Sequence, residues 1–211
     1  NVKKYKNFNY VRLVATSSLR KQCSIDECVS GKNIIEIENG GTIENLILGD
    51  PAKGIWCKGS CTLKNVFFEK TCYHGADLGN SLDSTPRTFQ IIGGAAKNVL
   101  DKIFTQSGAG TTTISNFCAD NFHKVARSCG MGCVQHQRTI NIKDSKFFGP
   151  ALTIFALNAN YKDKMFVSNV AVGKSIIYGC QEYNGIVKAS EDIHPTGECT
   201  PKQDCKLNSL K

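Results

Sequence analysis

No apolar run in this sequence approaches the roughly 18 residues that a membrane-spanning helix needs, which excludes a transmembrane reading. Proline is scarce, with 5 residues against 19 glycines, and few stretches carry the i, i+3, i+4 apolar spacing of an amphipathic helix. That balance predicts little helix and many turns between short strands. Tracts of like charge are missing as well. The net charge of +8 is spread along the chain, and Lys3, Lys4 and Lys6 form only a light cluster read as a solvated face. No recognised nucleic-acid motif accompanies the basic balance, so nucleic acid is set aside as a partner. Asn1 opens no charged-then-apolar leader, which predicts a mature chain from which any signal peptide has gone.

Cysteine, by contrast, is abundant, with 11 residues at positions 23, 28, 57, 61, 72, 118, 129, 133, 180, 199 and 205. A reducing cytosol tolerates that density only where a metal uses the thiols. Cys57/Cys61 and Cys129/Cys133 could together ligate zinc, but the other cysteines would then lack a reason. Disulfides explain all but one of an odd number, so at least one thiol is free or paired with another chain. The expectation is a secreted, extracellular protein. A basic surface attracts polyanions, namely nucleic acid, anionic membrane or acidic polysaccharide; a disulfide-bonded secreted protein meets the last more often than the first, but charge alone does not choose.

A repeat runs through the chain: an apolar residue, any residue, Asn or Asp, then an apolar or aromatic run. It reads Ile43-Glu44-Asn45-Leu46, Leu63-Lys64-Asn65-Val66, Ile114-Ser115-Asn116-Phe117, Ile142-Lys143-Asp144 and Val167-Ser168-Asn169-Val170. A period of about 20–28 residues with β-branched side chains predicts coils of a β-solenoid. Asn suits the sharp turn because it tolerates the left-handed conformation, and its amide can bond the next coil. The expected fold is all-β, a parallel β-helix cross-linked by disulfides and forming one domain over residues 1–211. Residues 1–30 and 186–211 fall outside the repeat and are read as capping segments, with Cys23/Cys28 and Cys199/Cys205 closing small loops.

Several stretches carry a family resemblance. Gly54-Ile55-Trp56-Cys57 followed by Cys61-Thr62-Leu63-Lys64-Asn65-Val66 resembles a segment of polysaccharide lyase family 3, the small pectate lyases. The run from Gly93-Gly94 to Asp101-Lys102 resembles that family's Gly-rich stretch ending in Asp-Lys, and Arg127-Ser128-Cys129-Gly130 its Arg-Ser-Cys-Gly. Asn158-Ala159-Asn160-Tyr161 and Glu182-Tyr183-Asn184-Gly185 resemble its later coils. The resemblance implies a right-handed parallel β-helix, secretion, calcium, and β-elimination of polygalacturonate by a monomer.

That reaction needs a base for the C5 proton of a uronate and positive charge on the carboxylate as it becomes enolate-like. Lysine serves as base only if its pKa is lowered, and arginine suits the carboxylate because it stays protonated. The family motifs put the base at Lys102 and the assisting cation at Arg127, with Arg138 as a further substrate-binding arginine. Lys53, Lys97 and Trp56 are additional candidates for substrate binding, Trp56 by stacking on a sugar ring.

The calcium ligands of the family fall on Lys53, Tyr73 and His74. A cation, a phenol and an imidazole do not supply the hard oxygens that Ca²⁺ requires. Calcium is therefore expected from the family and contradicted by these residues, unless Asp77 or Asp83, in an insertion at residues 76–87, rebuilds the site. His74, His123 and His136 lack ligand-like spacing. Two functions remain open: a lyase, or a catalytically inactive homologue that binds acidic polysaccharide or another plant cell-wall ligand.

Overall fold

The computed structural model describes residues 1–17, 33–50, 53–71, 73–188, 193–199 and 207–209. Among them, 14 strands join one hydrogen-bonded sheet. The first six are β1 (Tyr5–Leu13), β2 (Asn33–Ile37), β3 (Gly41–Leu48), β4 (Lys53–Cys57), β5 (Cys61–Phe68) and β6 (His74–Leu78). Then come β7 (Arg87–Gln106), β8 (Gly110–Ser115), β9 (Cys118–Ser128) and β10 (Arg138–Asn158). The last four are β11 (Lys164–Val172), β12 (Ile176–Tyr183), β13 (Pro195–Glu198) and β14 (Leu207–Ser209). Apart from the antiparallel β12–β13 pair, every strand pairing is parallel, and the chain winds into a solenoid of about 5 turns.

The predicted repeat marks the corners. Asn45, Asn65, Asn116, Asp144 and Asn169 all have positive φ, between 50° and 56°. They stack as well as turn: Asn65 Nδ2 donates to Asn45 Oδ1 at 3.1 Å, and Asn169 Nδ2 donates to Asp144 Oδ1 at 2.8 Å. Between Asn65 and Asn116 the corner belongs to Gly93, at φ 67°. A Cβ there would lie 2.5 Å from Asn65 Oδ1, so glycine holds the place both for its backbone and for its missing side chain. A second column is built by Asn98 and Asn121, whose amides meet at 2.9 Å.

Inward-facing residues next to the corners line up across the strands. Ile43, Leu63, Ile91, Ile114, Ile142 and Val167 are consecutive register partners and all are buried. Each such aliphatic side chain contributes about 1.5–3 kcal/mol when fully buried. A second column, Ile55, Ala76, Phe104, Ala126, Phe155 and Cys180, runs behind the face that carries the charged residues discussed below.

Two features depart from the sequence reading. Residues 5–13 are not a cap outside the coils: β1 pairs in parallel with β3, from Tyr5 opposite Thr42 to Leu13 opposite Leu48. The edge of the sheet captures this segment through backbone pairing, which needs no Asn in the repeat's register. Cys199 bonds Cys180 rather than Cys205, because β13 brings it alongside β12. As the cysteine count led us to expect, Cys57–Cys61 and Cys129–Cys133 are disulfides, and Cys118 is free and exposed. Cys23, Cys28, Cys72 and Cys205 lie outside the described residues.

Candidate functional site

Parallel register stacks charged residues from separate strands into one column. His74 on β6 stands opposite Lys102 on β7, and Lys102 stands opposite Lys124 on β9. Neighbouring strands in a sheet lie about 4.8 Å apart, so these side chains must share one electrostatic environment. Lys53 opens β4, one strand before His74, and Arg127 follows Lys124 on β9.

Two carboxylates interleave with the cations. Asp77 receives Lys53 Nζ at 2.9 Å on one oxygen and the His74 Nδ1–H at 2.6 Å on the other. Burial pushes the Asp77 carboxyl up, but His74 and Lys53 outweigh it and hold the carboxyl below its ordinary value. Asp101 accepts from Lys102, while His74 Nε2 lies 3.4 Å away and His123 Nδ1 3.7 Å away. Burial again opposes ionisation there, and the two histidines and Lys102 overcome it, keeping Asp101 well below the usual carboxylate range. Both groups are therefore anions at neutral pH.

The remaining cations are in surplus. Desolvation, with the charges of Lys102 and Arg127 and against that of Asp101, lowers the Lys124 ammonium to about 8. Lys124 Nζ lies 3.1 Å from His123 Nδ1. Arg127 is 4% exposed and packs its guanidinium over the Tyr183 ring at 3.7 Å. Desolvation lowers it to about 10, so it stays charged at neutral pH. Its Nη1 is buried without a hydrogen-bond partner, as is Oγ1 of its register neighbour Thr105. Burying charged N–H groups unpaired is costly, so an anion that pairs them gains what the fold forgoes.

A cleft of about 450 Å³ opens beside this column, and Lys53, Trp56, Tyr73, His74, Asp77 and Thr105 are among its lining residues. Trp56 is half-buried, and its indole N–H donates to the Gly79 carbonyl at 3.2 Å, leaving a ring edge and face in the cleft wall. Tyr73 stacks on His74 at 3.8 Å and carries Lys102 Nζ above its ring at 5.5 Å.

Of the residues expected from sequence, the structure brings together Lys53, Trp56, Tyr73, His74, Lys102 and Arg127. It does not bring Arg138 or Lys97. Arg138 is fully buried and donates to Gln135 Oε1 and to the carbonyls of Ser107, Val134 and His136, so its guanidinium is used as a structural clamp. Lys97 lies across the Asn98 corner, over the Phe67 ring at 5.7 Å. Asp83 ion-pairs with Arg87 at 2.6 Å. Lys124 and Thr105 were missed as functional residues, and Asp77 was named only as a possible calcium ligand. Lys124 precedes Arg127 by three residues, but its lowered pKa comes from burial and from charges on other strands, which no local motif shows.

The site is thus a surplus of buried cations beside an open cleft on one face of a parallel β-solenoid. Comparison with known proteins gives the family: residues 5–200 match the pectate lyase family, and the chain belongs to it. It is 36% identical over 153 residues to the probable pectate lyase E of Aspergillus clavatus, an alignment that takes in 72% of this chain and 58% of that relative. The chain thus spans less than two thirds of that curated relative's length. In structure it resembles the catalytic domain of pectate lyase PelI from Erwinia chrysanthemi, with a TM-score of 0.79, 23% identity, and coverage of 99% of this chain and 96% of that one. PelI in complex with tetragalacturonic acid also matches, with a TM-score of 0.74, 23% identity, and coverage of 98% and 67%. These likenesses establish the fold.

The calcium that the family implies does not fit the residues of this cleft. Ca²⁺ takes six to eight oxygen ligands. The carboxylates available, Asp77 and Asp101, are already held by Lys53, His74 and Lys102. Among the described residues no group of three or more His, Cys, Asp and Glu is arranged to hold a metal ion.

Proposed function

We propose that the protein is an extracellular pectate lyase, cleaving polygalacturonate by β-elimination in the cationic groove. The observation that carries this reading is the set of cations, Lys102, Lys124 and Arg127, that parallel register stacks beside the cleft. The disulfides agree with an oxidising, extracellular setting.

In the chemistry that follows, Arg127 pairs the carboxylate on C5 and stabilises the negative charge as it becomes enolate-like. A neutral lysine takes the C5 proton. The electron pair passes through the enolate to form the C4–C5 double bond, and the C4–O bond breaks. The departing oxygen takes a proton and becomes the new reducing-end hydroxyl. The sequence motif places the base at Lys102, and the electrostatics favour Lys124. Lys102 is committed to Asp101, whereas Lys124 is already lowered to about 8 and needs little further loss to act as a base. Burial, helped by the neighbouring Lys102, is what keeps Lys124 low.

Ultraviolet absorbance of unsaturated uronate, followed with polygalacturonate and a high enzyme concentration, tests the reading. Product formation that disappears in Lys124→Ala and Arg127→Ala supports it. Retained polygalacturonate binding with no product at any pH would instead make the protein a binding homologue.

A further inference from the structure

We infer that Lys53 takes the place of a metal ion in this groove, so that the protein holds its acidic polysaccharide without calcium. The inference rests on the polysaccharide reading for the identity of the ligand, but its calcium component stands on the side chains alone.

Both oxygens of Asp77 are in use, one on Lys53 Nζ at 2.9 Å and the other on His74 at 2.6 Å. The Lys53 and Asp77 side chains retain only 15% and 13% of their exposure, so the pair sits mostly out of water. Breaking such a pair to admit a metal leaves an ammonium uncompensated in low dielectric, which is costly. Asp101 is held from three sides, by Lys102, His74 and His123. The insertion's other carboxylate, Asp83, bonds Arg87 through Nε and Nη2 at 2.8 and 2.6 Å. A divalent cation entering here would meet Lys53, Lys102, Lys124 and Arg127 before it found a free carboxylate oxygen.

The same arrangement gives Lys53 a positive role. An ammonium has three donors, and Asp77 takes one of them. Lys53 lines the cleft together with Trp56, so its remaining donors can pair a uronate carboxylate next to the one held by Arg127. Asp77 and His74 act as positioning residues that keep the ammonium over the cleft.

Isothermal titration decides the matter. Calcium alone, titrated into chelator-treated wild-type protein, is expected to show no site, and Lys53→Asp combined with His74→Asp is expected to acquire one. Tetragalacturonic acid should bind wild type equally in chelator and in calcium, and Lys53→Met should weaken that binding ~10–100-fold, the range for losing a charged hydrogen bond. A wild-type calcium site abolished by Asp77→Asn overturns the inference. So does tetragalacturonate binding at least tenfold tighter in calcium than in chelator, or unchanged binding in Lys53→Met. If wild type binds no tetragalacturonate in either buffer, the polysaccharide reading and the ligand assigned to Lys53 fall together, and the calcium titration still reports on the metal.

Discussion

Arg127 packs over Tyr183, with the guanidinium carbon 3.7 Å from the ring centroid. The ring covers one face of the cation, excludes water, and fixes its plane without using any of its N–H donors. Burial lowers Arg127 only to about 10, so the charge survives throughout the neutral range, where a uronate is also ionised. Tyr183 thus does for the arginine what a hydrogen-bonding partner could not: it holds the group in place and leaves it hungry for an anion.

Replacing Arg127 with lysine keeps the charge and loses both the planar fork and the stacking. The expected result is a fall in kcat/KM on polygalacturonate of ~10²–10³-fold. Far-UV circular dichroism should be unchanged, because the inner column behind this face is left intact. Wild-type turnover in Arg127→Lys would remove the arginine from the mechanism.

Lys124 makes two linked predictions. As base it must be neutral, so kcat/KM should rise with pH through about 8 and level off above it. Its folded-state value lies below the ordinary lysine value of 10.5, so between these two values the unfolded chain binds more protons. This group's contribution therefore becomes more favourable as pH rises across that window, and below it the buried ammonium is a fixed penalty. Lys124→Met should abolish the alkaline rise in activity and raise Tm at pH 7. A lower Tm together with retained activity would contradict both halves.

Gly130 lies against the arginine, and a Cβ at this residue would come 2.1 Å from Arg127 Nη2. Gly130→Ala must therefore push the guanidinium off the Tyr183 ring. Weaker tetragalacturonate binding with little change in unfolding midpoint is expected by titration and thermal melt. Equal affinity would mean that the arginine's position is not critical.

The asparagine corners carry backbone strain that only a few residues accept. Asn65→Ala should cost about 1–2 kcal/mol in chemical denaturation, from the left-handed backbone and the lost amide bond to Asn45. Asn65→Gly relieves the backbone part and should cost less. Equal losses in the two variants would show that the amide alone matters.

What sequence revealed here depended on how local the cause was. The corners at Asn45, Asn65, Asn116, Asp144 and Asn169 were legible because positive φ restricts residue choice at a single position. Gly93 escaped the pattern although it fills the same corner, since glycine meets the backbone demand without the amide. Lys102 and Arg127 could be read from short motifs. The burial of Arg138 was not legible, because arginine is usually exposed and nothing local shows that three carbonyls and an amide oxygen converge on it. Lys124 was out of reach for the same reason: the charges around it come from other strands.

The groove is written across four successive layers, since β4, β6, β7 and β9 each contribute a side chain or two. In a stack where each layer touches only its neighbours, the natural unit of change is a whole layer. Adding or removing one at the β11–β14 end would alter the molecule's length while the register of Lys53, His74, Lys102 and Lys124 stayed as it is. Slipping one layer within the groove by a single residue would scatter them. The chemistry is thus tied to register rather than to length, and the solenoid can be lengthened for a longer partner without rebuilding its active face.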